Sequence, residues 1–247
     1  MIEATLENDI GRITLNNPDV HNSLTREAMD SIRATLNEWS NSGIRVLVLT
    51  GTGKSFCSGV SLGDVGTGDW SNNPLTALCD ALENFHTPTI CALNGGVYGG
   101  GVELALSCDF RIGVEGMKMF VPAIKIGVHY EPAGIGRYVQ KLGSQAARRV
   151  FLLAETFTDR ALLDIGFLDY LVIADELSER VDAIASTING AAPLAVQGMK
   201  RTILEISRGT LDTAAATQRT AKCFASDDHR EGLAALSEKR SPAFKGR

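Results

Sequence analysis

The amino-acid sequence predicts an α/β fold in which a sheet-based core is followed by a helical region that continues it. In the first half, short apolar runs and alternating segments are typical of strands, and helical patterns separate them. From about residue 133 onward, apolar residues recur almost entirely at helical spacing. Because proline and glycine never cluster densely enough to form a linker, we predict a core with the functional site over residues 1–190 and a helical region over residues 191–247.

The predicted core begins with a β-hairpin and contains buried strands. Residues 4–16 alternate apolar and polar side chains around a turn at Asn8 and Asp9, which is typical of a hairpin. The continuous apolar runs 44–51 and 88–95 predict strands that are buried on both faces. The second of these runs leads directly into a glycine-rich segment.

Helices are predicted where apolar residues recur every 3.6 residues. The first follows an N-cap at Asn22-Ser23 and ends at Gly43. The later helices carry more apolar surface than one core needs, which favours association of subunits. The remaining helices are predicted over residues 76–86, 133–143, 144–155, 158–166, 175–190, 193–207 and 211–224 and within 227–247.

Composition excludes several classes of protein. Apolar residues make up 44% of the 247 residues, enough for a sizeable core, and the net charge of −5 disfavours a nucleic-acid surface. No apolar run approaches the about 18 residues that span a bilayer, and the amino terminus lacks the pattern of a signal peptide. We therefore expect a cytoplasmic protein. Five cysteines without CxxC spacing and four scattered histidines predict reduced thiols and no metal site.

Three glycines, Gly99 to Gly101, precede a single carboxylate, Glu103, in an otherwise apolar segment. Glycine is a poor start for a helix unless the backbone itself must approach something. Helix N-termini present unpaired N–H groups, and without Cβ atoms nearby a ligand oxygen can reach them. This arrangement is half of an oxyanion hole, and the loop 55–64 is the candidate for the second donor. Glu103 either handles a proton beside the reacting carbon or only complements the helix dipole.

Five segments together resemble the crotonase (enoyl-CoA hydratase/isomerase) superfamily, in the right order and nearly end to end. The resemblance implies a crotonase-like spiral of ββα turns with a C-terminal helical trimerisation region. It also implies an acyl-CoA thioester substrate and a homotrimer or a dimer of trimers. The segments are LNNPDVHNSL, VLVLTGTGKSFCSGVSLGD, PTICALNGGVYGGGVELALSCDFRIG, AAPLAVQGMKRTI and EGLAALSEKRSPAFKGR.

The resemblance also implies roles for particular residues. The two N–H groups of the oxyanion hole correspond to Val60 and Gly100, and Glu103 matches the first of two glutamates that hydratases use. Two loops line the coenzyme A groove in this superfamily, and a basic residue of the last helix meets the nucleotide of a neighbouring subunit. The implied coenzyme A contacts of this chain are Val20, Asn22, Ser58, Ser61, Leu62 and Lys239.

The chain departs from the hydratase pattern at Ala123. In hydratases the second glutamate follows a proline, whereas here Pro122 is followed by an alanine, whose methyl group can neither position nor deprotonate water. Two interpretations follow. Either Glu103 shuttles a proton alone or together with Glu131, or the chemistry needs no second base.

A local resemblance supports the second interpretation as an alternative. The run KIGVHYEPAGI is similar to the corresponding segment of methylmalonyl-CoA decarboxylase, whose tyrosine matches Tyr130. A phenol at this position could donate a hydrogen bond to a substrate carboxylate, while loss of CO₂ leaves an enolate in the oxyanion hole. The alternative role for Tyr130 is packing of its ring on the following helix.

We expect an enzyme that forms an enolate from an acyl-CoA thioester, of the enoyl-CoA hydratase/isomerase type, and therefore a lyase or an isomerase. The first alternative is a decarboxylase of a malonyl-type thioester. The second is a protein that binds acyl-CoA without turnover. No separate cofactor is expected, because coenzyme A is part of the substrate.

Overall fold

The computed structural model describes residues 2–61, 63 and 72–247, and the strands of this part of the chain form two sheets. The larger sheet contains, in spatial order, β1 (Ile2–Glu7), β2 (Ile10–Leu15), β3 (Val46–Gly51), β5 (Thr89–Leu93), β7 (Phe110–Val114) and β10 (Tyr170–Val172). The smaller sheet contains β4 (Ser55–Cys57), β6 (Gly96–Tyr98), β8 (Lys118–Phe120) and β9 (Phe157–Thr158).

Helices cover most of the remaining described residues. In the first 165 residues they are α1 (Arg26–Trp39), α2 (Pro74–Glu83), α3 (Gly100–Leu106), α4 (Pro132–Leu153) and α5 (Asp159–Asp164). The last third of the chain contains α6 (Leu177–Asn189), α7 (Pro193–Arg208), α8 (Thr213–Ala225) and α9 (Asp227–Glu238).

A repeating path connects the two sheets. In the larger sheet β3, β5 and β7 pair in parallel, and each is followed by a strand of the smaller sheet, β4, β6 and β8, which also pair in parallel. A helix follows each of these strand pairs, namely α2, α3 and α4 in turn. The chain therefore winds through ββα turns, and the predicted α/β fold is confirmed. Trimerisation through the C-terminal helices stays a prediction.

The hairpin and the buried strands lie where the sequence predicts them. β1 and β2 pair antiparallel, and the turn between them consists of Asn8 and Asp9, with φ values of 50° and 64°. Two successive residues with positive φ are typical of the tight turns that match the twist of a hairpin. β3 and β5 are buried along most of their length, as expected for parallel strands covered on both faces.

The beginning of α1 differs from the prediction. The N-cap is Thr25, whose hydroxyl accepts a hydrogen bond from the Ala28 N–H at 3.2 Å. The predicted cap, Asn22-Ser23, is wrong because Asn22 has a φ of 55°, outside the extended region that an N-cap residue adopts. The helix also ends at Trp39, before the predicted stop at Gly43.

Periodicity misses two short strands of the second half. β9 and β10 are only two and three residues long, too short to show a repeat. The two helices predicted over 133–155 are both present within α4, which breaks at Gly143, where φ is 80° and ψ is 159°. The glycine between the two apolar patterns therefore separates two helical stretches, as predicted.

The C-terminal helices leave apolar side chains at the surface. α6 packs against the larger sheet, whereas α7, α8 and α9 contact one another. The predicted boundary at residue 190 falls between α6 and α7, and the division into two domains stays a prediction. None of the described helices combines the length and the hydropathy that crossing a bilayer requires. Exposed apolar residues of the last three helices include Met199, Ile203, Ile206, Phe224, Leu233 and Leu236.

Candidate active site

The glycine run forms the junction between β6 and α3. Gly99 is the N-cap of α3, and its φ of 51° with ψ of −128° is a conformation that residues with a Cβ rarely adopt. Its N–H donates to the Phe120 carbonyl of β8 at 2.9 Å, which fixes the junction to the smaller sheet. All seven residues of α3 are buried. Glu103 therefore lies in the interior, and a purely surface role in complementing the helix dipole is wrong.

Two backbone N–H groups lie close together beside this junction. A Cβ built on Gly59 would lie 2.7 Å from the Gly100 nitrogen, and one built on Gly100 would lie 3.6 Å from the Val60 nitrogen. The loop is held by Leu24, whose N–H donates to Gly59 and whose carbonyl accepts from Ser61, at 2.7 and 2.9 Å. Because Gly100 is the first residue of α3, its N–H has no acceptor within the helix. Across the described residues the Val60 N–H likewise has no backbone acceptor.

A cavity of about 360 Å³ opens at these N–H groups. It is lined by all five residues that the sequence predicts to be catalytic, which are Val60, Gly100, Glu103, Tyr130 and Glu131. Ser58, Asn73, Leu75, Gly99, Pro122, Ala123, Ile126, Val128 and His129 complete its lining. The fold therefore brings together residues from the β4–α2 loop, the start of α3 and the segment before α4.

Glu103 is the buried carboxylate of this cavity. Its side chain is 4% exposed, and its Oε1 accepts a hydrogen bond from Nη1 of Arg137 at 2.8 Å. Burial raises the pKa of Glu103, and this effect outweighs the lowering by the Arg137 guanidinium. No described residue donates a hydrogen bond to the other oxygen, Oε2. Glu103 therefore combines a fixed oxygen with one that is available to a ligand.

Arg137 of α4 is a residue that sequence reasoning missed. Its side chain is only 3% exposed, and besides Glu103 it contacts two carboxylates of α2. Its Nε donates to Glu83 at 3.1 Å, and its Nη2 donates to Asp80. Arg208 of α7 also donates to Glu83, at 2.5 Å. One signal for this network was present in the sequence, namely an arginine on the otherwise apolar face of a predicted helix.

Gly134 allows α4 to lie directly against Glu103. A Cβ at this position would lie 2.9 Å from Oε2 and 3.0 Å from Cδ of the carboxylate. Since Gly134 and Arg137 are three residues apart, they occupy the same face of the helix. One face of α4 therefore both approaches the carboxylate and supplies its cation.

The cavity is lined by an apolar side chain at the position where the resemblance implies a second glutamate. Ala123 is buried and lines the cavity. Glu131 is exposed at the N-terminus of α4, where its side chain makes no capping hydrogen bond. Among the residues that are both described and lining the cavity, Glu103 is the one buried carboxylate.

Tyr130 lies at the edge of an aromatic cluster. Its ring packs against Phe151 at 5.0 Å and against Tyr138 at 6.3 Å between centroids, both edge-on. Burial raises the pKa of Tyr130, with a smaller contribution from Glu103. The phenol therefore stays neutral, and the packing role considered for this tyrosine is present in the structure. His129 is exposed, with its Nδ1 2.7 Å from the Tyr130 carbonyl oxygen.

Comparison with known proteins decides the family. The profile described as enoyl-CoA hydratase/isomerase matches residues 5–247. The chain belongs to this family. The 2,3-dehydroadipyl-CoA hydratase of Escherichia coli is 29% identical over 244 residues, covering 95% of this chain and 94% of the relative. The short-chain-enoyl-CoA hydratase of Clostridium acetobutylicum is 28% identical over 251 residues, covering 98% and 96%.

Solved structures of the enoyl-CoA hydratase/isomerase family share this fold. The crystal structure of an enoyl-CoA hydratase from Bacillus anthracis superposes with a TM-score of 0.88 at 27% identity, covering 100% of this chain and 99% of that chain. The resemblance to the crotonase superfamily is thereby confirmed. None of the relatives and structures named here is described as a decarboxylase.

Of the described residues for which the resemblance implies a coenzyme A contact, only Ser58 lines the cavity. Its hydroxyl donates to the carbonyl of Val20 at 3.2 Å. Val20 is 48% exposed at the end of a short 3₁₀ helix. Ser61 lies beside Val60, Lys239 is exposed at the end of α9, and neither lines the cavity. Leu62 lies outside the described residues.

Asn22 has a structural role in addition to the predicted one. Its side chain is buried and forms four hydrogen bonds within the chain. It accepts from the Asn17 N–H at 2.8 Å and donates to the carbonyls of Thr52, Ser55 and Phe56. These bonds hold the loop before α1 onto the β3–β4 connection. A coenzyme A contact at Asn22 stays a prediction, as do those of the other five residues.

Proposed function

We propose that the protein moves the double bond of a 3-enoyl-CoA thioester to the 2-position, with Glu103 as a single proton carrier. The observation that carries this proposal is that, among the described residues lining the cavity, Glu103 is the one buried carboxylate and Ala123 stands where the resemblance implies a second glutamate. Isomerisation moves one proton between two carbons of the substrate, so one group can serve as base and then as acid. Hydration must also orient a water molecule, for which the cavity wall at Ala123 has no polar group.

The reaction follows from this geometry in two steps. Glu103 removes a proton from C2, and the electron pair moves through the thioester so that its oxygen becomes an enolate. The N–H groups of Val60 and Gly100 donate to that oxygen and stabilise its charge. The protonated Glu103 then returns the proton to C4, the double bond forms between C2 and C3, and the carboxylate is regenerated. No atom is gained or lost, and no cofactor is required.

The raised pKa of Glu103 fits this cycle. A carboxylate must be basic enough to accept a carbon-bound proton, and burial increases its basicity because the charged form is less well solvated. The protonated form must also be a competent acid for the return step. A group whose pKa is raised by burial but restrained by Arg137 meets both requirements.

The test is turnover of three thioesters by the purified protein. A 3-enoyl-CoA should be isomerised, crotonyl-CoA should be hydrated far more slowly, and methylmalonyl-CoA should release no CO₂. Glu103→Gln should lower kcat about 10³-fold, the middle of the range of about 10²–10⁴ for one acid–base group, with little change in thioester affinity. Faster hydration of crotonyl-CoA, or full activity of Glu103→Gln, would refute the proposal. Tight binding of all three thioesters without turnover would favour a binding protein instead.

A further inference from the structure

We infer that Arg137 is a positioning residue for Glu103: its guanidinium holds one carboxylate oxygen in place and leaves the other to the substrate. The inference rests on the proposed function, since it assigns proton transfer to Glu103. Nothing in the resemblance or in the comparisons assigns a role to this arginine. Four charged side chains, linked by hydrogen bonds, surround this contact: Arg137, Glu103, Asp80 and Glu83.

The geometry of the pair favours orientation. Arg137 and Glu103 are 3% and 4% exposed, and the 2.8 Å bond joins Nη1 to Oε1. A guanidinium presents its donors in a rigid plane and does not lose its proton in proteins, so its direction and charge are both constant. Gly134 of the same helix packs against the whole carboxylate, since a Cβ there would lie 2.9, 3.0 and 3.1 Å from Oε2, Cδ and Oε1. The carboxylate is therefore held on two sides.

Arg137 divides its attraction among three carboxylates. Asp80 and Glu83 of α2 both contact the same guanidinium, and their negative charges raise the pKa of Glu103. A carboxylate paired alone with an arginine becomes a weak base, because its charged form is strongly stabilised. Here the shared cation leaves burial as the dominant effect. The arrangement orients Glu103 while preserving its basicity.

Other titratable groups around Glu103 have a different effect. Cys79 of α2, Tyr130 of the segment before α4 and Tyr138 of α4 interact with it, and burial raises the pKa of all three. They therefore stay neutral over the range in which Glu103 titrates. Besides burial, which has the largest effect, the ionisation of Glu103 therefore depends on Arg137 and on the two α2 carboxylates.

The test measures ionisation of Glu103 directly. The carboxylate infrared band of Glu103 is obtained as the difference between each protein and its Glu103→Gln counterpart, across a pH series. In Arg137→Gln the ionised form loses its cation, so its band should appear only at higher pH than in the unmodified protein. In Glu83→Gln a competing negative charge is removed, so the band should appear at lower pH. An unchanged midpoint in both variants would overturn the inference.

Kinetics supply the second readout. Arg137→Gln should lower kcat about 10²-fold, the cost of about 1 Å of misplacement, with KM little changed. When kcat is measured against pH, the acidic limb of the profile should move in the same direction as the infrared midpoint in both Arg137→Gln and Glu83→Gln. Arg137→Lys should return the acidic limb of the pH profile to its position in the unmodified protein, because lysine keeps the positive charge. It should restore only part of kcat, because lysine lacks the planar guanidinium with its fixed donors. A limb that stays where it was in Arg137→Gln while kcat falls would reduce Arg137 to a structural residue.

Arg111 provides a matched control. It is also buried, donates to the carbonyls of Phe167 and Cys108, and pairs with Asp169 at 3.6 Å. Arg111→Gln should lower thermal stability without moving the infrared midpoint or the limb. If the unmodified protein isomerises no 3-enoyl-CoA, the proposed function fails. The infrared midpoints decide the inference separately, because they require no turnover.

Discussion

Replacement of Gly134 by alanine tests the placement of Glu103 more finely than removal of its carboxylate. The new Cβ would lie 2.9 Å from Oε2, whereas ordinary contacts begin at 3.4 Å, so the carboxylate must move by about 0.5 Å. This movement of the Glu103 side chain is opposed by the hydrogen bond that its Oε1 accepts from Arg137. If misplacement by about 1 Å costs about 10²-fold in rate, half of that displacement costs about tenfold.

The stability of the Gly134→Ala variant should not fall together with its rate. Gly134 lies in the first turn of α4, and alanine is favoured over glycine in a helix by up to about 1 kcal/mol. The strain of moving Glu103 offsets part of that gain. We expect a melting temperature within a few degrees of the unmodified protein, since about 1 kcal/mol corresponds to about 2–4 °C at this length. The variant should thus be slower without being less stable.

Gly136 is the control for this substitution. It lies in the same helix, and a Cβ at this position would have no atom within 4 Å. Gly136→Ala should therefore retain full kcat for a 3-enoyl-CoA while gaining the same helix propensity. The assay is kcat from the rise of 2-enoyl absorbance, with melting followed by circular dichroism. Equal kcat for both variants would refute the claim that the position of Glu103 within half an ångström controls the rate.

Two further predictions concern the apolar wall and the C-terminal tail. Ala123→Glu should raise the rate of crotonyl-CoA hydration because it adds a carboxylate to the buried wall, whereas Ala123→Gln should not; equal rates for the two would contradict this. Glu231 accepts hydrogen bonds from Arg240 and from the Ala243 N–H, which lower its pKa from 4.5 to about 2. A carboxylate whose pKa is lowered in the folded state stabilises the fold at pH values above its ordinary pKa. Glu231→Gln should therefore lower the melting temperature at pH 7. The difference from the unmodified protein should vanish as pH falls from about 4.5 towards 2. A difference that stays constant in acid would exclude the ionic role of Glu231.

The sequence predicted the parts of the site that are local in the chain. Gly99 to Gly101 and Glu103 are neighbours, so the end of a strand, the start of a helix and the carboxylate could be inferred together. Ala123 could be recognised as a departure because the resemblance supplies the position of the missing glutamate. The placement of Tyr130 at the cavity followed from the local resemblance to a decarboxylase, and that of Glu131 from its position in the loop between Ala123 and the next helix.

The charged network around Glu103 could not be predicted. Arg137 lies 57 residues from Asp80 and 54 from Glu83, on another helix, and periodicity does not say which faces of distant helices meet. The N-cap of α1 was misplaced for a related reason. Asn22 is a common capping residue, but its side chain is bonded to backbone groups of residues 52–56, which only the folded chain brings near.

The contact between Arg208 and Glu83 joins the predicted C-terminal region to the interior of the core. Positive and negative side chains alternate from Arg208 through Glu83 and Arg137 to Glu103, so a helix beyond residue 190 contributes to the electrostatic balance of the cavity. A fragment that ended at residue 190 would retain three acidic groups around one arginine. Subunit contacts or modifications that displace α7 would have the same effect. Events at the surface of the molecule would in this way change the acidity of the buried carboxylate Glu103.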